Sequence, residues 1–246
     1  MGGLTVNRFF IALLAGAFLS MLSITTAVQA QEINSSSLTG RQKGIVAVAA
    51  FTANGDMEKL KVALNEALDA GLTVNEIKEV LVQMYAYCGF PRSLNGIGIF
   101  MAVMDDREKK GIHDEIGSEP SPLTEGKSSL ELGTENQTKL IGAPATGRYI
   151  SFTPAIDSFL KGHLFGDIFG RDNLDFQSRE LATIAALSSM KGVNSQLQSH
   201  FSIGFNTGLS EAQMKGLVAV LAEKVGQAEA DNASQVLRQV LAEKKR

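Results

Sequence analysis

The chain has 246 residues, with 23 Lys and Arg against 26 Asp and Glu, three His, one Cys and no Trp. That length supports one large or two small domains with real cores. The slight negative charge leaves no basic footprint for nucleic acid, and one cysteine excludes an intrachain disulfide.

Residues 1–30 read as a signal peptide. Arg8 supplies the basic start, "FFIALLAGAFLSMLSI" the apolar core, and "AVQA" (Ala27 to Ala30) a small-x-small cleavage site. Cleavage is expected after Ala30, which exports the rest of the chain to the periplasm or medium; an uncleaved membrane anchor is the competing reading. In an oxidising compartment Cys88 stays a free thiol or pairs outside its own chain.

The remainder is one helical unit written twice. "GDMEKLKVALNEALDAGLTVNEIKEVLVQMYAYCGFPRSLN" from Gly55 repeats, at an offset of 137, as the segment from Gly192. The offset carries Gly71 to Gly208, Gly89 to Gly226 and Asn95 to Asn232. Upstream, "RQKGIVAVAAFTA" from Arg41 resembles "RELATIAALSSMK" from Arg179 with a one-residue slip. Ile45, Val48, Ala49 and Thr52 share a helix face, as do Leu60, Ala63, Leu64, Ala67 and Leu68, and then Ile77, Val80, Leu81 and Met84. Gly71 and Gly208 sit where helices end. Thr73-Val-Asn-Glu76 and Ser210-Glu-Ala-Gln213 both fit a capping box, where the next helix starts. The spacing predicts an all-α fold with a first unit over 38–110 and a second over 154–246. Between them, 111–153 is rich in Gly, Ser, Thr and Pro and reads as a linker or irregular loop. From Pro154, residues Ile156, Phe159, Leu160 and Leu164 predict an amphipathic helix leading into the second unit.

Three segments carry a resemblance: "GLTVNEIKEVLVQMYAYCGFPRSLNG", "RELATIAAL" and "LQSHFSIGFNTGLS". The chain resembles the carboxymuconolactone decarboxylase family, related to the alkylhydroperoxidase AhpD. The resemblance implies an AhpD-like all-α fold of two tandem units and a symmetric homo-oligomer. It also implies a redox motif of Glu, eleven residues, Cys-x-x-Cys, three residues, His. Glu76 and Cys88 match its first two positions, while Pro91 and Asn95 stand where the second Cys and the His belong, which puts a dithiol mechanism out of reach. In the second unit the same places hold Gln213, Val225, Ala228 and Asn232.

Cys88 is thus the candidate nucleophile, set just before a helix that Pro91 would open, where a helix dipole and Arg92 favour a thiolate. It also continues the apolar stripe of Ile77, Leu81 and Met84, as a buried small residue would. Glu76 is a candidate base that also serves the capping box. About 18 Å of straight helix would separate it from Cys88. Glu79 reads as a solvated face residue. The resemblance places a His at His200, opposite Ala63 of the first unit, and a composite site joining His200 to Cys88 across units is expected. Tyr87, Arg92 and Asn95 are the candidate substrate contacts. His163 and Asp167 share a helical spacing, yet the sparse histidines favour no metal site, and no cofactor is expected.

Three functions follow. The first is a peroxidase-like antioxidant activity through Cys88, recycled by an external thiol reductant. The second is decarboxylation of a small carboxylated lactone such as γ-carboxymuconolactone, its carboxylates held by Arg41, Arg92 or Arg179. The third is a non-catalytic helical scaffold binding a small ligand or partner.

Overall fold

The computed structural model describes residues 38–123 and 126–244. The expected signal peptide lies outside the described residues. Eleven α-helices, two stretches of π-helix and no strand make up the described chain.

The first unit comprises α1 (Gly40–Asn54), α2 (Met57–Asp69), α3 (Val74–Cys88) and α4 (Phe90–Lys109). The second comprises α8 (Phe176–Ser188), α9 (Asn194–Asn206), α10 (Glu211–Val220) with its π-helical end π2 (Leu221–Val225), and α11 (Gln227–Glu243). The 137-residue offset maps α2 onto α9 residue for residue, and α3 onto α10 plus π2. Thr73 with Glu76 and Ser210 with Gln213 close the two capping boxes, each cap being worth about 1 kcal/mol. Gly55 and Gly192 take left-handed φ values of 83° and 81°, which a side chain disfavours, so both units turn at the same place.

Helices α1 and α8 lack a polar face. Every residue from Gly44 to Ala53 and from Arg179 to Ser188 is buried, and the two helices pack on each other at the centre. Gly44 permits the close approach of α2, since a Cβ there would lie 3.0 Å from that of Ala67. α3 packs across the unit boundary onto α8, and α10 onto α1. The tandem units therefore share one core within Leu38–Arg246.

The segment 111–153 departs from the expected irregular loop. It first ties down the start of α3: Val74 and Asn75 donate backbone N–H bonds of 2.9 Å to the carbonyls of Glu115 and Ile116. It then forms α5 (Ser129–Ile141), opened by a Ser128–Glu131 capping box, and a short α6 (Arg148–Phe152). α5 buries Gly133, Gln137 and Leu140, a face of small and polar residues that leaves little hydrophobic periodicity to detect.

The helix expected from Pro154 exists in altered form. It begins as α7 (Pro154–Ser158) and continues as π1 (Phe159–Ile168), a π-helix. The wider turn shifts the inward face to Leu164, Phe165 and Ile168, and leaves Ile156 and Phe159 exposed. α5 and π1 cross at backbone contact. A Cβ on Gly133 would fall 1.6 Å from the Lys161 carbonyl oxygen, and one on Gly166 2.1 Å from that of Ser129. This layer lies on α9 and α3, with Tyr85 and Tyr87 against its apolar side.

Candidate functional site

The polar interior lies where α3 of the first unit meets α8 and α9 of the second. Arg179 is wholly buried, and its guanidinium donates to Glu79 Oε1 at 3.0 Å, Gln83 Oε1 at 3.0 Å and the Arg171 carbonyl at 2.7 Å. Arg171 Nε bonds both Glu79 oxygens at 3.0 and 2.9 Å. Glu79, expected on a solvated face, is buried between two arginines. The neighbouring helix, invisible to a one-helix reading, supplies its counter-charge. Gln83 completes the joint, donating to the Arg179 carbonyl and the Thr183 hydroxyl. Burial pulls the Arg179 pKa down while Glu79 pushes it back up.

One turn along lies the reactive part. Glu180 is fully buried, and its Oε2 holds His200 Nδ1 at 2.8 Å. A carboxylate only accepts, so Nδ1 carries the hydrogen and Nε2 is the basic nitrogen of the neutral ring. His200 keeps 12% of its side-chain surface exposed, and Nε2 takes no hydrogen bond from the described residues. The Tyr87 ring meets the imidazole edge-on at a centroid distance of 5.6 Å. Burial, and secondly Glu180, raise the Tyr87 pKa far above 10.0; the Thr183 hydroxyl and Arg179 pull the other way. Tyr87 is therefore a neutral hydroxyl at every physiological pH. Tyr87 Oη, Glu180 Oε1 and Arg179 Nε are buried without a hydrogen-bond partner in the described structure, an unusual concentration of unspent capacity.

The sequence-derived candidates are distributed differently. Cys88 is the last residue of α3, and Gly89 caps α4 with Pro91 in its first turn, as expected. Its thiol is half-buried and bonds back to the Met84 carbonyl at 3.1 Å. Burial raises its pKa, and Arg92 offsets this in part. Arg92 itself bonds the Ala53 carbonyl. Asn95 is exposed on α4. Glu76 caps α3 through Thr73 and pairs with Arg41, at the opposite end of that helix from Cys88. The structure thus does not bring Glu76 and Cys88 together. His200 was expected beside Cys88; its recorded first-unit contact is Tyr87, the residue before Cys88.

Sequence reasoning missed Glu180. Its signal was a charge following Arg179 in "RELATIAAL", inside an otherwise apolar helix. His163 and Asp167 do meet, at 2.8 Å, on the exposed side of π1, with Ser129 on the second Asp167 oxygen. No group of three His, Cys, Asp or Glu side chains with metal-binding geometry occurs among the described residues.

A comparison with curated proteins finds no match. The model of the carboxymuconolactone decarboxylase family matches residues 21–101 and again 154–239, one match to each tandem unit. With its duplicated helices and two-fold match, the chain belongs to the carboxymuconolactone decarboxylase family.

Proposed function

We propose that this protein is an acid–base enzyme of the carboxy-lyase type, working through His200, Glu180 and Tyr87 on a small carboxylated lactone. The observation that carries the reading is the His200–Glu180 pair, a buried carboxylate orienting an imidazole whose Nε2 is left for chemistry. In such a decarboxylation the C–C bond to the carboxylate breaks and carbon dioxide leaves. The electron pair stays on the ring as a dienolate, delocalised onto the lactone carbonyl. Protonated His200 returns a proton to carbon, and Glu180 steadies the imidazolium beforehand. The neutral Tyr87 hydroxyl supplies a hydrogen bond to the developing oxyanion.

The peroxidase reading keeps one supporting observation, the place of Cys88 just before the N-terminus of α4. Against it stands a thiol that burial holds protonated, with Glu76 at the far end of its helix. Export through residues 1–30 remains part of the proposal and places the activity outside the cytoplasm.

The test is direct. Purified protein is given γ-carboxymuconolactone and carbon dioxide release is followed; in parallel it is given hydrogen peroxide with dithiothreitol. Lactone turnover lost in His200→Asn and kept in Cys88→Ser is expected. Peroxide consumption that disappears in Cys88→Ser, with no lactone turnover, overturns the reading.

A further inference from the structure

The Tyr87–His200 cluster lies in a covered groove. α8 is its floor and carries Glu180, while α3 and α9 both pack on α8 and bring Tyr87 and His200 as walls. The covering layer closes the top, with π1 resting on α3 and α5 on α9. Leu140 of α5 and Phe165 and Ile168 of π1 plug the groove, in a small apolar cluster that Ile203 and Tyr87 join from the walls. With this plug in place the Tyr87 hydroxyl is buried. A hydroxyl that bonds a substrate oxygen has to be reached, so part of the enclosure moves.

The walls and floor are anchored in the main core. Leu81 and Met84 of α3, Leu181 and Ile184 of α8, and Leu197 and Phe201 of α9 are all wholly buried there. The layer is held differently. α5 and π1 interlock at backbone contact, and Asn136 Nδ2 adds a 2.9 Å bond to the Phe165 carbonyl, so the two move as one piece. Its two edges are unequal. At the α3 edge, Tyr85 packs on the apolar cluster and meets the His163 ring at a centroid distance of 5.5 Å. At the α9 edge, Leu140 is the one large apolar residue that α5 buries. Among the described residues, the hydrogen bonds joining the layer to α9 come from a single side chain. Asn206 Nδ2 donates to the Leu140 and Ile141 carbonyls, at 3.0 Å each. Asn206 is exposed, where water readily takes over both bonds.

A cleft already reaches this weaker edge. It holds about 550 Å³ between α9 and the turn after α5, lined by Ser199, Ile203 and Asn206 on one side and Ile141 on the other. At about 100° per residue, Ser199 and Asn206 lie roughly 100–120° around α9 from His200, with Ile203 between. Cleft and groove are therefore adjacent sectors of one helix, divided where Leu140 joins Ile203 in the apolar cluster.

We propose that α5 and π1 form a gate that lifts at its α9 edge when the Asn206 latch breaks, joining the cleft to the Tyr87–His200 groove. The inference rests on the acid–base reading of that cluster and supplies its route of entry.

The gate is tested through access to the Tyr87 hydroxyl, which needs no substrate. Acetylation by N-acetylimidazole is followed by peptide mass mapping, with Tyr149, 45% exposed, as internal reference. In wild type Tyr87 is expected to react far more slowly than Tyr149. Asn206→Ala removes both latch bonds and should speed Tyr87 about tenfold, leaving Tyr149 and the circular dichroism melting curve unchanged. Ile141→Cys with Asn206→Cys, in a Cys88→Ser background, is the unlatched form, which dibromobimane then locks by joining the two thiols. Locking should slow Tyr87 roughly tenfold or more, since the open state is barred. Turnover of γ-carboxymuconolactone is followed on the same samples and should fall with it. Tyr87 acetylation that follows the latch, with no lactone turnover in any form, keeps the gate and removes the reaction assigned to the groove. Equal Tyr87 acetylation in locked and unlatched protein, full turnover in locked protein, or two thiols that dibromobimane fails to join overturns the gate.

Discussion

Glu180 grips His200 at 2.8 Å, while the corresponding first-unit positions hold Gln42 and Ala63, which can make no such pair. Duplication followed by divergence has left one polar site at a joint where two were geometrically available. The arrangement makes His200 a functional residue whose loss should scarcely disturb the fold. His200→Asn and Glu180→Gln are expected to lower lactone turnover by about 10²- to 10⁴-fold, with melting temperature nearly constant for the first. Steady-state rates and thermal unfolding measured on the same preparations check this.

Cys88 should behave as a sluggish thiol. Its raised pKa keeps it protonated near neutrality, and reactivity should grow only as pH climbs past the ordinary thiol value. Alkylation by iodoacetamide at pH 7 is expected to be slower than that of free cysteine, and Cys88→Ala to leave lactone turnover within twofold. Rapid alkylation at pH 7 would show the thiol is activated after all.

Glu79 is the structural counterpart of the site. Glu79→Ala strands Arg179 in the interior and should cost about 3–5 kcal/mol, read from urea unfolding. Arg171→Ala removes the more exposed of its two partners and should cost much less. Equal losses for the two substitutions would mean that the ion pair is not buried as described.

Tyr87 gives an alkaline signature. Its folded-state pKa lies above its unfolded value, so its contribution to stability is complete below about pH 10 and is lost as pH rises from there toward the folded pKa. Tyr87→Phe should remove this component of alkaline unfolding. Because the hydroxyl is buried without a partner, the change should cost little stability at pH 7, while turnover falls. A stability loss of several kcal/mol at pH 7 would show that the hydroxyl is well bonded.

Gly133 tests the covering layer. Gly133→Ala drives a methyl into the Lys161 carbonyl, where backbone cannot yield cheaply, and should cost about 3 kcal/mol. The damage should centre on α5 and π1, so limited proteolysis is expected to cut 111–170 first.

The tandem helices and their caps were legible in the sequence because the signals are local. Gly71, Thr73 and Glu76 each act within one turn, and their copies at Gly208, Ser210 and Gln213 fall at a constant offset. α5 was obscured because Gly133 does the packing that a large apolar residue usually announces. Glu79 read as a solvated charge and Glu180 went unread, since a helical repeat records which residues share a face and not what lies across from it. Arg171 and Arg179 answer Glu79 from 92 and 100 residues away. The sequence pointed His200 at Cys88, whereas its first-unit neighbour is Tyr87, one residue before that thiol, because residue spacing along a helix does not say which of two adjacent side chains turns toward the next unit.

Because Tyr87 arrives on α3 from the first unit and His200 on α9 from the second, a covalent tether keeps both halves of the cluster together at any dilution. Site assembly is thereby uncoupled from protein concentration. Titration with a tight inhibitor should saturate at one equivalent per polypeptide at every protein concentration.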